Sequence, residues 1–321
     1  MEQYNQGSYE NEERKNKKLR IVLTVLTVVI LIMTVMFFLI GFKVIDLSFF
    51  KFGGLGMGYT YKNADSYSIG SNEVMAAEIS EIDIDWVSGS INVEVYDGDK
   101  IIFFEDEGLI ENHQLRYKVE GGRLTIKYMK SGFFTVSVKS KDLVVKIPKD
   151  SKPYSLFRID TVSASINAGN FTSDEVTLDT VSGSVDLTSV TCNLLKVESV
   201  SGRVNIADTT TEDFNCDNVS GSINFNGNAD KIKADSVSGE ISISSYTCPK
   251  TVNIESVSGS ITFAIPENDG FEAKVDTVSG SFSCDFPTTK DRSKYVYKNG
   301  DASFSFDTVS GSVIIEKISS Q

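Results

Sequence analysis

Histidine is nearly missing. The 321 residues hold one, His113. Serine hydrolysis needs a base beside its nucleophile, so the many serines of this chain have no histidine partner to activate them. The four cysteines form no C-x-x-C pair, which removes the usual zinc spacings. No glycine-rich phosphate loop is present, because the glycines of the repeat phrases all sit in S-G dipeptides. Proline is held to five residues and tryptophan to one. Positive charge is also short, at 31 Lys and Arg against 44 Asp and Glu, a net charge of −13. Residues 1–20 carry +1 of it (Arg14, Lys15, Lys17, Lys18 and Arg20 against four Glu), leaving −14 for the rest. A body this acidic excludes nucleic acid as a partner and disfavours direct docking on an anionic membrane face.

What is abundant is one short phrase. Asp179 to Leu187 reads D-T-V-S-G-S-V-D-L, and the phrase recurs nine times. Its glycines are Gly89, Gly183, Gly202, Gly221, Gly239, Gly259, Gly280 and Gly311, with Ala164 standing in once. From Ala164 the steps are 19, 19, 19, 18, 20 and 21 residues, then 31. A fixed period in this range marks a solenoid whose repeats stack as coils. Around Gly239, apolar residues alternate at Ile232 and Ala234, then resume at Val237, Ile241 and Ile243. Period-two alternation is a strand with one buried face. The phase break predicts a corner with Asp235 and Ser236 both facing outward. Glycine falls on the inward parity, where a side chain would crowd the interior. The coils should stack in parallel about 4.8 Å apart, eight of them in chain order from Ala164 to Gly311. Cys192 and Cys248 would then lie three coils apart, roughly 14 Å, too far for a disulfide. The cysteines read as buried free thiols.

Ahead of the repeats, residues 1–20 are polar and charged. Ile21 to Phe42 then runs 22 residues without a charge, about 33 Å as a helix, enough to cross a bilayer. No small-residue cleavage site follows, so a retained anchor is expected. The basic cluster before it places the N-terminus in the cytoplasm and the rest outside. Residues 43–74, with Gly53, Gly54, Gly56 and Gly58, read as a juxtamembrane linker. Residues 75–156 should hold the first coil, Ile82 to Val95, and an antiparallel cap. Within that cap Leu115–Val119 and Leu124–Tyr128 make a hairpin, and strands are expected at Ile101–Phe104, Val136–Val138 and Leu143–Ile147. Residues 157–321 are the repeats. Tyr295, Val296 and Tyr297 belong either to a protruding hairpin or to a terminal cap.

The span, the glycine linker, the R-L-T-I hairpin at Arg123–Ile126, the V-K-I-P segment at Val145–Pro148 and the V-S-G-S repeats together resemble a bacterial "putative adhesin" family of β-strand repeat domains. LiaG-like membrane proteins encoded near envelope-stress systems belong to that family. The resemblance implies a bacterial envelope protein with a β-solenoid ectodomain, and it carries over no catalytic residue.

A carboxylate lies four residues before every glycine position: Asp85, Asp160, Asp179, Glu198, Asp217, Asp235, Glu255, Asp276 and Asp307. Stacked, these form an acidic ladder whose neighbours repel by roughly 1 kcal/mol in water. Corner hydrogen bonds and the basic residues Arg158, Lys196, Lys233 and Lys274, two positions back, would offset this. A speculative third offset is a cation held along Asp179, Glu198, Asp217, Asp235, Glu255 and Asp276. The calcium-solenoid phrase G-G-x-G-x-D is absent. The reading is therefore an all-β parallel solenoid with an antiparallel cap and one N-terminal span, with no cofactor, no resident metal and no catalytic set. Its function is a non-enzymatic adhesion or interaction module meeting wall polymer or an envelope protein, with no small-molecule substrate. The alternative is an accessory regulator of envelope-stress signalling.

Overall fold

Val, Ile, Phe and Thr at alternate positions favour a pleated, half-buried backbone, and such stretches fold here as strands throughout. The computed structural model describes residues 59–132, 140–291 and 294–318. These belong to one unit, Phe52–Gln321. Beyond strands the described residues contain only three-residue 3₁₀ turns, so no described helix is long and apolar enough to cross a membrane. The expected span at Ile21–Phe42, the basic tail, the linker glycines and the Val136–Val138 strand lie outside the described residues.

Each coil begins with a strand carrying the carboxylate, turns at S-G-S, and continues in a second strand. In the Gly183 coil these are Thr172–Thr180 and Val185–Thr188. Equivalent strands pair in parallel and in register, Asp179 opposite Glu198 and Val185 opposite Val204. A further corner closes the coil. There Asn170, Ser189 and Asp208, each 19 residues apart, adopt left-handed φ of 61°, 55° and 49°. Short polar side chains tolerate that conformation. The inward row is buried: Leu178, Val197, Ile254 and Phe306 are 0% exposed.

The layers do not follow chain order. The strand Thr251–Ser258 of the Gly259 coil pairs with Ala302–Ser310 of the Gly311 coil, and that strand pairs on its other side with Gly270–Ser279 of the Gly280 coil. On the second side Ile261–Ile265 pairs with Val313–Lys317, which pairs with Phe282–Cys284. The last repeat is thus inserted between the two before it, correcting the expected sequential stack. The 31-residue step gives the length for this. The chain passes outside the Gly280 layer as Thr289–Asp291 and Lys294–Lys298, then returns beneath it. Tyr295–Tyr297 is therefore terminal cap, since Lys294–Lys298 lies antiparallel on Gly270–Lys274. Stacked rings fasten the insertion, Phe304 on Phe271 at 5.0 Å and edge-on to Phe263 at 5.3 Å.

The other end repeats the device. Arg123–Lys127 pairs in parallel outside Glu81–Trp86, and Leu143–Pro148 outside Ser90–Tyr96, while Tyr154–Thr161 and Ser165–Gly169 stack on the inner side. The expected cap thus contributes a parallel layer of its own, giving ten layers with the nine repeats. The antiparallel strands lie outside it: Arg116–Glu120 on Arg123–Lys127, Lys100–Glu105 on Leu143–Pro148, Ser68–Ile69 on Arg116–Glu120, and Asn72–Met75 on Lys100–Glu105. An uncovered sheet edge invites foreign strands, and at this end residues 123–127 and 143–146 of the parallel layer are covered by antiparallel partners. Residues 59–74, expected as linker, are part of this packing. Tyr59 is 5% exposed and meets Tyr61 and Tyr128 edge to ring at 5.5 and 6.3 Å. Ring contacts of this kind leave no period-two trace in sequence.

Candidate functional site

The register brings all nine carboxylates into one column. Its order is Asp85, Asp160, Asp179, Glu198, Asp217, Asp235, Glu255, Asp307, Asp276. Asp307 precedes Asp276 because of the inserted repeat. Lys127, from the cap layer, stands opposite Asp85 and forms an ion pair with it, so the column begins with a cation. The four basic residues foreseen two positions back all pair: Arg158 with Asp160 (3.0 Å) and Asp179 (3.6 Å), Lys196 with Glu198, Lys233 with Asp235 (2.7 Å) and Asp217 (4.0 Å), and Lys274 with Asp276 (2.6 Å). Arg158 and Lys233 each serve two layers, so cations in alternate layers neutralise the row from Asp160 to Asp235. Asn253 donates to Glu255 at 3.2 Å, and Ser305 donates to Asp307 at 3.2 Å.

Where the column is most enclosed, charge is least welcome. Burial pushes the Asp179 carboxyl up to about 8, Asp160 and Glu198 on either side push the same way, and Arg158 opposes them. Burial also raises Glu198 and Asp235, against the pull of Lys196 and Lys233. Asp83, Asp85 and Asp160 bring carboxylate oxygens within 4.8 Å of one another, the one group of this kind among the described residues. Lys127 and Arg158 pair with two of its three members. The six carboxylates considered for a cation thus share a column, but lysines and arginine already stand along it.

The residue after the carboxylate points inward, contrary to the expected outward pair. Thr180 is 2% exposed and Ser236 6%. Thr180 Oγ1 accepts from Gly183 N–H at 2.9 Å, and Thr161 Oγ1 from Ala164 N–H at 3.1 Å. In the Gly221 coil Asn218 does the same work, accepting from Ser220 N–H and donating to the Gly202 carbonyl, both at 3.2 Å. These side chains fold the S-G-S turn from inside. The glycine is needed for a different reason from crowding of the core. A Cβ on Gly239 would lie 1.9 Å from the Gly221 carbonyl oxygen, and one on Gly259 1.9 Å from that of Gly239. The clash is between layers.

Turned outward instead are the valine and serine of each phrase. Val162, Val181, Val200, Val219, Val237 and Val257 are half-buried, Val309 is 47% exposed and Val278 82%. Ser163, Ser182, Ser201, Ser220, Ser238, Ser258, Ser279 and Ser310 are exposed. A valine column and a serine column, each with one side chain per layer, therefore run beside the carboxylates.

Under the first corner lies a cation the repeat did not signal. Lys141 is 2% exposed, pairs with buried Glu105, donates to the His113 carbonyl at 2.8 Å, and sits 4.6 Å from the Trp86 ring and 4.4 Å from that of Tyr128. Trp86 Nε1 donates to the Lys141 carbonyl at 3.0 Å. Burial lowers the ammonium to about 8, against Glu105, which holds it up. His113 itself is half-buried in the turn Glu111–His113, outside the repeats. Of the cysteines, Cys192 and Cys216 are buried, Cys248 and Cys284 half-buried, and all four are free thiols.

Several solved structures are similar over 78% of this chain. A "putative cell adhesion protein" from Clostridium sporogenes shares 15% identity with a TM-score of 0.29, covering 100% of that chain. A "putative adhesin" from Bacteroides fragilis shares 16% with a TM-score of 0.46, and a "putative lipid binding protein" from Parabacteroides distasonis 19% with 0.47, each over 97% of its own length. No curated protein matches the chain. The Toastrack DUF4097 family model matches residues 79–316, from the first coil to the inserted last one. The chain belongs to the Toastrack DUF4097 family.

Proposed function

We propose that the chain is a non-enzymatic adhesion or interaction module of the bacterial envelope, anchored by Ile21–Phe42 with its solenoid outside the membrane. The observation that carries this is the outward Val-Ser pair. It recurs in all nine repeats; eight of the valines are half-buried or exposed, only Val87 of the first coil being buried, and the serines are exposed in eight of them. Neither column takes part in neutralising the carboxylates, seven of which pair with lysine or arginine while Glu255 and Asp307 accept from Asn253 and Ser305. A surface that presents the same two side chains every layer suits a partner that is itself extended and repetitive. Wall polymer fits that description and is consistent with the acidic body, since hydroxyl contacts need no charge. Any lipid or adhesive role of the similar structures is a property of those proteins; here it agrees with the reading without carrying it.

The test is sedimentation of the purified full chain with peptidoglycan and with teichoic-acid-bearing wall, with and without calcium. Saturable binding that falls when Ser182, Ser201 and Ser220 are changed together to lysine supports the module. No binding in any condition sinks the wall reading and leaves the accessory role in envelope-stress signalling.

A further inference from the structure

The two ends of the stack are finished differently. At the cap end, inward positions of the outermost parallel layer are sealed: Ile126, Leu143 and Val145 are 0% exposed. At the far end, antiparallel Lys294–Lys298 covers only Gly270–Lys274 of the Gly280 layer. Among the described residues no strand lies outside 275–284. The Ser279 and Ser281 carbonyls accept from Gly311 and Val313 and so point into the stack, which by strand alternation turns intervening backbone groups outward. The inward side chains are also incompletely covered. Phe306 and Val313 are 0% exposed one layer below, whereas Val275 and Phe282 at the same register are half-buried and Thr277 is exposed. Val278 ends its column at 82% exposure.

We propose that this open edge, residues 275–284, is a docking site for an extended strand of a partner protein, in which an apolar residue is followed by Lys or Arg and then by another apolar residue. The protein carries the template itself. Where it closes its own stack, Ile126-Lys127-Tyr128 lies against Ile84-Asp85-Trp86, with the lysine on the carboxylate and both apolar neighbours buried. At the open end Val275-Asp276-Thr277 presents the same register. One cation, Lys274, there pairs with Asp276 and also feels Asp307, whose hydrogen bond comes from Ser305, so a single cation stands beside two carboxylates and a second would balance them. Backbone pairing supplies affinity and the basic residue supplies register, as in strand addition generally. Charge argues against a second copy as occupant, because this chain is at −13 and its edge phrase has no basic residue beyond Lys274.

The experiment is fluorescence polarisation of a labelled peptide with the sequence of residues 123–129, Arg-Leu-Thr-Ile-Lys-Tyr-Met, titrated with the full chain in detergent. Saturable binding is expected, weakened about ten-fold or more by Val278→Lys, which blunts an edge without touching the core. Changing the peptide lysine to glutamate should weaken binding similarly, and Asp276→Lys should restore the glutamate peptide. No saturable binding, or binding indifferent to both Val278→Lys and Asp276→Lys, overturns the proposal. So does sedimentation showing a dimer that Val278→Lys abolishes, since a second copy then fills the edge. Wall binding should survive Asp276→Lys, because Asp276 stands in the carboxylate column and not among the outward valines and serines, which separates this site from the wall-binding face.

Discussion

Gly259 donates its backbone N–H to the Ser310 carbonyl at 3.1 Å, although the corresponding serine of the next glycine phrase in the chain is Ser279. Gly311 in turn donates to Ser279, at 3.4 Å. The last repeat has been placed inside the stack and the one before it outside. At the opposite end the first repeat is likewise covered by later residues, 123–127 and 143–148. Neither terminal repeat is therefore left at an edge, where layers of a solenoid fray and recruit strands.

The glycine column should be intolerant even of a methyl group. Gly239 has φ +147°, and a Cβ would lie 1.9 Å from backbone that no side-chain movement can clear. Gly239→Ala is expected to cost at least about 2 kcal/mol, read as a lower urea midpoint with unchanged slope. A cost below half of that would mean the layers can separate locally.

Lys141 should matter through its charge. Lys141→Met leaves Glu105 buried without its cation and is expected to cost about 3–5 kcal/mol. Adding Glu105→Leu should recover most of the loss, because an apolar pair of similar size carries no desolvation penalty. Chemical denaturation of the single and double variants checks this, and equal losses in both would reassign the lysine to packing alone.

Stability should fall as pH rises through the carboxylate column. Asp179 titrates near 8 in the folded chain and near its ordinary 3.8 when unfolded. Between those values the native state holds a proton that the unfolded state has lost, so the slope of unfolding free energy with pH is negative. The contribution is complete below about pH 4 and lost as pH climbs through 8. Glu198 and Asp235 shift in the same direction. Asp179→Asn should raise the melting temperature at pH 8 and leave it nearly unchanged at pH 4. An increase at both pH values would contradict the assignment.

Thermal melts in EDTA and in millimolar calcium should superimpose. Lysine and arginine already occupy the positions a cation would take beside Asp85, Asp160, Glu198, Asp235 and Asp276. A calcium-dependent rise of several degrees would restore a cation to the ladder.

Much of this was legible because a nine-fold phrase fixes register. Once Asp179 is matched to Glu198, the carboxylate column and its pairing with Arg158, Lys196, Lys233 and Lys274 follow from strand geometry. What the phrase concealed was layer order, since identical repeats stack equally well on any neighbour. Only the 31-residue step and the aromatic cluster of Phe271, Phe304 and Tyr297 hint at the insertion. Polarity does not locate the corner, because Ser236 is polar and yet only 6% exposed. Its hydroxyl position faces inward, where Thr180 and Asn218 close the turn. Lys127 and Lys141 lie outside the repeat, so no periodicity pointed to them. Of the candidate site, the carboxylate column could be read from sequence, while the open edge required the layer order.

The most direct measurement is a disulfide trap across the inserted layer. Ser258 and Ser310 are exposed, in-register partners on adjacent parallel strands, about 4.8 Å apart by strand spacing. Ser258→Cys with Ser310→Cys should oxidise to an intramolecular disulfide in the folded protein, identified by mass spectrometry of the linked peptides. Ser258→Cys with Ser279→Cys, two layers apart, should not. The reverse result, a bond from 258 to 279 and none to 310, would mean that the layers follow chain order and that the open edge belongs to a different repeat.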